Sequence, residues 1–399
     1  MIPSLRERFN ANYSAETYQR FIESLETTTG TRIEFRMCET PVFLPSALLA
    51  EMQRAAAALI TQLRATDYLS ASDRSIPAEF QTPGEGSHPT FIQVDFAIVR
   101  AADGTLSPKL IELQAWASLY AFQLLMSQAY QQSFALNGLS CLLSNLDEEK
   151  YLTLFRRTIL GQHAPENVIL MEIEPETQKT RPDFIATEKM LGVPTVDISH
   201  IIKHGRRLFY RRNGREVEIR RIYNRAIIDE FVNKGVYCAF DFRDDLDVEW
   251  AGHPNWFFRW SKFSLPFLNH AAVPQAWFVD QLKMFPDNLA DFVLKPLFSF
   301  AGSGVKVTVT PADLAAIPES ERSNFLLQEK VKYEPLVAAP PAVKELSKIE
   351  VRVMYLWPDE DAEPTPVNTL ARLSKGAMMG VDFNKNKTGV GSSSCFHEK

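Results

Sequence analysis

Two separate stretches of the sequence hold residues whose types and spacing suit phosphate chemistry. The first is DFVLKPLFSFAGSGVKVTV, where a strand-like run ends at Lys295-Pro296 and a short loop carries Gly302, Ser303 and Gly304. Glycines let backbone N–H groups approach phosphate oxygens closely, and a strand-end lysine adds a point charge. No GxxxxGK[ST] is present and the loop leads to a strand at Val305, so this is not a Walker A loop. Taken alone, GSG between strands reads as a plain hairpin turn. Further on, FLLQEKV is an apolar strand emerging into polar residues. Its end, Gln328 to Val331, can offer alternating backbone groups to an adenine edge while Glu329 reaches ribose hydroxyls. Upstream, Lys262 starts a helix after Trp260-Ser261; downstream, Glu350 and Arg352 alternate onto one strand face and Arg372 follows near the end of another.

The second stretch lies far upstream, in FIQVDFAIV and PKLIELQAWAS. Phe91–Val99 and Lys109–Leu113 are strand-like, with Ala102-Asp103-Gly104 as the turn of a hairpin. Glu112 and Gln114 point to one face, and the partner strand brings Asp95 beside them. Two carboxylates and an amide oxygen are hard ligands of the kind Mg²⁺ takes. The same residues also make an ordinary hairpin with surface acids.

In their order along the chain, these residues resemble ATP-grasp enzymes: helix lysine, strand lysine, glycine loop, Q-E-x-V hinge, acid-x-Arg strand, later arginine. The VDF … PKLIELQAWAS pair is similar to the RxDF … PKLLEYNADTPTS hairpin of glutathionylspermidine synthase-like enzymes, which are circularly permuted ATP-grasp proteins. MLGVPTVDISHIIKHGRRLFY … VEIRRIYNRAIIDEF and LARLSKGAMMGVDFNKNKTGVGSSS also resemble segments of permuted relatives, so the likeness spans about residues 91 to 395. The resemblance implies an ATP- and Mg²⁺-dependent carboxylate–amine (or carboxylate–thiol) ligase working through an acyl phosphate. Lys262 and Lys295 would face the α- and β-phosphates, and the Gly302–Gly304 loop would cover the β/γ end. Asp95, Glu112 and Gln114 would hold metal, and Arg372 would hold the transferring phosphoryl group and later the oxyanion. Arg352 would act likewise or pair structurally with Glu350. The substrates would be a small-molecule or peptide-like carboxylate and an amine. Gln114 stands for the expected asparagine and Gln93 for the expected arginine, and residues 1 to 90 hold no amidase module. Those departures keep two alternatives open: a catalytically weakened nucleotide-binding or interaction protein, and an ATP-dependent phosphotransferase.

The elements that must position these groups form an α+β and α/β chain in four parts. Residues 1–90 form a helical region, with helices expected over Ser14–Leu25 and Pro45–Leu69. Residues 91–140 carry the hairpin and an amphipathic helix from about Ser118 to Leu136. Residues 141–254 alternate strand and helix as a pre-ATP-grasp α/β domain: a strand at Val168–Met171, a helix near Asp183–Leu191, a strand at Thr195–Asp197, then a hairpin turning at Asn213-Gly214. Residues 255–399 form the nucleotide-binding region, with a helix near Lys262–His270. Its strands fall around Phe292–Lys295, Val305–Val309, Phe325–Val331, Ile349–Leu356 and Val367–Leu373. Glu334 to Lys348, with three prolines, reads as a loop or lid, and Asp382-Phe383-Asn384, among glycines, as a poor metal candidate.

Composition narrows the function classes. The 399 residues are 45% hydrophobic and 23% charged, enough for two or three cores. A net charge of −6 gives no reason to expect nucleic acid. Cys38, Cys141, Cys238 and Cys395 are scattered without a CxxC pair, which suits a reducing compartment. No run approaches the ~18 apolar residues of a membrane span, and MIPSLRERFNANYS lacks a signal-peptide core. The expectation is a cytoplasmic protein with no membrane partner; oligomeric state is not legible.

Overall fold

In the computed structural model, residues 1–298, 304–380, 384 and 386–398 are described. Gly302, Ser303, Asp382 and Phe383 therefore lie outside the described residues.

The central sheet is built from chain segments far apart in sequence. Its order is Val42–Phe43, Gly391–Glu398, Thr365–Ser374, Lys348–Leu356, Phe91–Arg100, Leu106–Gln114, with Leu139–Ser140 added to Gly391–Glu398. All neighbours are antiparallel except Val42–Phe43, which runs parallel to Gly391–Glu398. Both faces are buried, which is why FIQVDFAIV reads as nearly continuous apolar sequence. One face presents Ile92, Val94, Phe96, Ile98, Val351, Val353, Ala371 and Leu373 to a core shared with helix Ser46–Leu63. That helix supplies Leu49, Met52, Ala56, Leu59, Ile60 and Leu63, a stripe at three- and four-residue spacing. The other face grades along its length. At one end Phe91, Met354, Leu356 and Leu370 meet Tyr120, Phe122 and Leu124, from or beside helix Tyr120–Ser133. At the other end the alternating positions are Asp95, Glu350, Arg352 and Arg372.

Three smaller sheets surround it. Glu249–Ala251, Arg221–Asn224, Val168–Glu172 and Thr195–Asp197 form a wholly parallel sheet, the layer expected from the alternation. Ile202–His204, Arg207–Arg212 and Arg215–Ile219 form an antiparallel sheet. Asn213 and Gly214 take positive φ of 51° and 77° at its turn, as a two-residue primed turn requires. Ala276–Phe278, Phe325–Glu329 and Phe292–Pro296 form the third sheet, also antiparallel.

Several expectations are corrected. The helix expected over Pro45–Leu69 is two, Ser46–Leu63 and Thr66–Ser72, because Ala65 takes an extended backbone (ψ 139°) and starts the second. The helix near Lys262–His270 is a 3₁₀ turn over Lys262–Phe267, since Pro266 cannot supply an N–H; the α-helix lies just before it, at Pro254–Arg259. The strand expected at Val305–Val309 reduces to one bridge, Leu294 with Lys306. Gly391–Glu398, not among the expected strands, is a strand. Among the described residues no helix is long and apolar enough to cross a membrane.

The last strand begins against the N-terminal segment: Cys38 N–H donates to the Ser392 carbonyl and Ser392 N–H to Arg36, both at 2.8 Å. Gly391 has φ +114°, and a Cβ there would fall on the Arg36 carbonyl. Gly391→Ala is therefore expected to lower unfolding free energy by roughly 2–3 kcal/mol, through left-handed strain and a backbone clash. Urea denaturation of variant and parent checks this; an unchanged midpoint would refute it.

Candidate functional site

The charged end of the central sheet is laid out by register. Asp95 lies opposite Glu112 on one side and Arg352 on the other, while Glu350 lies opposite Arg372. Glu350 and Arg352 share a face but are two residues apart along the strand, farther than directly opposed neighbours. The cross-strand partners therefore win, and the expected Glu350–Arg352 pair gives way to two others. Arg352 donates to Asp95 through two nitrogens, Nε to Oδ1 at 2.6 Å and Nη2 to Oδ2 at 2.8 Å. Arg372 Nη2 bonds Asp95 Oδ2 and also reaches Glu350 Oε1 at 2.7 Å. The Tyr333 hydroxyl donates to Glu350 Oε2 at 2.7 Å. Asp95 and Glu350 are both buried.

Burial raises the Asp95 carboxyl, but the charges of Arg352 and Arg372 outweigh it and hold the group below its ordinary range. In Glu350 burial wins over Arg372 and the carboxyl is raised. Burial opposes the Arg372 charge, yet Glu350, Asp95 and Glu112 raise its pKa. Guanidinium groups of Arg352 and Arg372 thus stand beside Asp95, where the sequence reading expects magnesium.

A bulge joins strand Phe292–Pro296 to this cluster. Between Asp95–Glu112 and Phe96–Leu110 the register skips Ile111. The Ile111 carbonyl accepts from Lys295 Nζ at 3.3 Å across 184 residues of sequence. The hairpin and the strand lysine thus meet. Burial pushes the Lys295 ammonium down to about 8, aided by Lys262 and opposed by Glu112, Glu350 and Asp95. Lys262 is itself buried, next to Ser261 and Trp260, whose carbonyl takes the Ala115 N–H at 2.8 Å.

Other expected residues have specific placements. Gln114 Nε2 donates to Gln93 Oε1 at 3.0 Å, and Gln93 Nε2 to the Ser118 carbonyl at 3.0 Å, so the amide of Gln114 turns toward Gln93. Among the described residues no group of three or more His, Cys, Asp or Glu is arranged to hold a metal ion. Gln328 is buried with its Nε2 unpartnered, and the Glu329 carboxylate takes the Gln275 N–H at 3.1 Å. Val331 follows the end of strand Phe325–Glu329. Gly304 has φ +70° and packs beside Pro296. The residue that sequence reading missed is Tyr333. It lies four residues past Glu329 in an irregular stretch, with no spacing to tie it to a strand.

No protein-family model and no curated protein sequence matches the chain. A solved structure does: a glutathione synthetase-like effector from Globodera pallida in its apo form. The two are 11% identical, 96% of each chain is covered, and the TM-score is 0.60. The chain has a glutathione synthetase-like fold, mixed in its α and β elements.

Lys295 generates a pH prediction. Its ordinary pKa of 10.5 falls to about 8 in the folded protein. Between those values the unfolded chain keeps a proton that the folded one has released, so stability rises with pH across that window. Relative to Lys295→Met, the ligand-free parent is expected to gain stability steadily from about pH 8 to pH 10.5. Chemical denaturation of both proteins along this series reads it, and a difference independent of pH would refute it.

Proposed function

We propose that this protein is an ATP-dependent ligase that activates a carboxylate as an acyl phosphate and joins it to an amine. The observation that carries this reading is the meeting of Lys295 with the Ile111–Glu112 bulge, next to Arg372, on a glutathione synthetase-like fold. Phosphoryl transfer asks mainly for positioning and charge neutralisation. Lys262 and Lys295 would take phosphate oxygens, Gly304 would flank them, and Gln328, Glu329 and Val331 would border the base and ribose. Arg372, held by Asp95 and Glu350, would face the transferring phosphoryl group and then the oxyanion. Magnesium, when bound, would neutralise phosphate oxygens. Glu112 and the Gln114 amide oxygen would hold it, whereas both Asp95 oxygens accept from arginines.

That engagement favours one second reading, a nucleotide-binding or interaction protein with weakened turnover. ADP release with ATP, magnesium and a panel of acids and amines separates the two. Amine-dependent ADP release supports the ligase; ATP binding without turnover supports the second reading. ADP release without a new amide would point to a phosphotransferase. Lys295→Ala is expected to cost roughly 1.5–3 kcal/mol of ATP affinity, a lost charge-assisted contact. Equal affinity by titration calorimetry would remove Lys295 from the site.

A further inference from the structure

The carboxylates at the centre of this site are already answered by side chains. Both oxygens of Asp95 accept from Arg352, at 2.6 and 2.8 Å, and Oδ2 also accepts from Arg372. Of Glu350, one oxygen meets Arg372 at 2.7 Å and the other takes the Tyr333 hydroxyl at 2.7 Å. A planar guanidinium matches a carboxylate through two parallel N–H donors, and unlike a bound ion it cannot dissociate. A divalent ion at Asp95 would have to displace this fork and then sit beside two displaced positive charges, with few oxygen ligands in exchange.

We infer that Arg352 is the resident cation of this site, standing where a divalent ion would otherwise bridge Asp95. A polyphosphate such as ATP or inorganic triphosphate then binds through Lys262, Lys295 and Arg372 without a metal bridge to Asp95. This rests on the polyphosphate reading above and goes beyond it by making nucleotide affinity independent of magnesium, whatever turnover requires. Arg352 is a positioning residue in this scheme. It keeps Asp95 anionic and oriented, and Asp95 in turn orients Arg372.

The test is titration calorimetry of the full chain with ATP and with inorganic triphosphate, once in EDTA and once with excess magnesium. The expected result is dissociation constants that agree within about threefold, under 1 kcal/mol. Binding weakened more than about tenfold by EDTA would overturn the inference and leave the nucleotide reading standing. Binding in neither buffer would overturn both. In Arg352→Met the fork is lost while the side chain keeps its bulk. Provided its melting curve is cooperative, ATP affinity is expected to become magnesium-dependent by about tenfold or more, with Mn²⁺ relaxation enhancement reporting a new ion near Asp95. A folded Arg352→Met that stays indifferent to metal would overturn the assignment. If that variant does not fold, the comparison on the parent decides alone.

Discussion

The Asp95–Arg352 fork constrains the rest of the molecule. It joins strands Phe91–Arg100 and Lys348–Leu356, whose paired residues here are 257 positions apart. Both side chains are buried, and removing Asp95 would strand the Arg352 charge at roughly 3–5 kcal/mol. A slip of one residue would turn Asp95 into the core that holds Val94 and Phe96 and bring an apolar side chain to the site. The pair therefore contributes less as net stabilisation than as a specifier of register. With register fixed, Glu350 meets Arg372, Ile111 bulges, and its carbonyl becomes available to Lys295.

The same constraint shapes the electrostatics. Lys262, Lys295, Arg352 and Arg372 stand near the acids Asp95, Glu112 and Glu350, and each arginine is tied to at least one of them. At Lys295 burial outweighs the nearby acids and pulls the ammonium down to about 8. Desolvation, with Lys262 nearby, outweighs Glu112, Glu350 and Asp95, and so the ammonium stays below its ordinary pKa. Tyr333 links this cluster to the stretch after strand Phe325–Glu329, so the central sheet and the three-stranded sheet are coupled by a hydrogen bond as well as by packing.

The start and end of the chain enclose the far edge of the sheet. Arg36, Met37 and Cys38 bond along Ser392, and the Glu39 carboxylate takes the Gly389 N–H at 2.8 Å. Strand Gly391–Glu398 in turn pairs with Thr365–Ser374, which carries Arg372. The helical N-terminal region thus contributes to the site through backbone pairing, with no charged group of its own in the cluster.

By itself, the sequence determined what depends on local chemistry. Asn213-Gly214 marked a turn, since few residues tolerate positive φ at both positions. The Phe91–Val99 and Lys109–Leu113 hairpin, the Val168–Met171 strand and the apolar spacing within Pro45–Leu69 followed from side-chain period, and Lys295 stood visibly at a strand end. Tertiary structure decided which charges meet. Glu350 and Arg352 are neighbours in the sequence, yet each is taken by a residue across the sheet, because pairing distance rather than sequence distance sets Coulomb energy. Gln114 turned to Gln93 by the same rule. Gly391–Glu398 became a strand only because residues 36–44 and 365–374 lie on either side of it. Tyr333 came to Glu350 through an irregular path that no periodicity encodes. Periodicity and turn chemistry act over a few residues; register acts over 257, and the site is made of register.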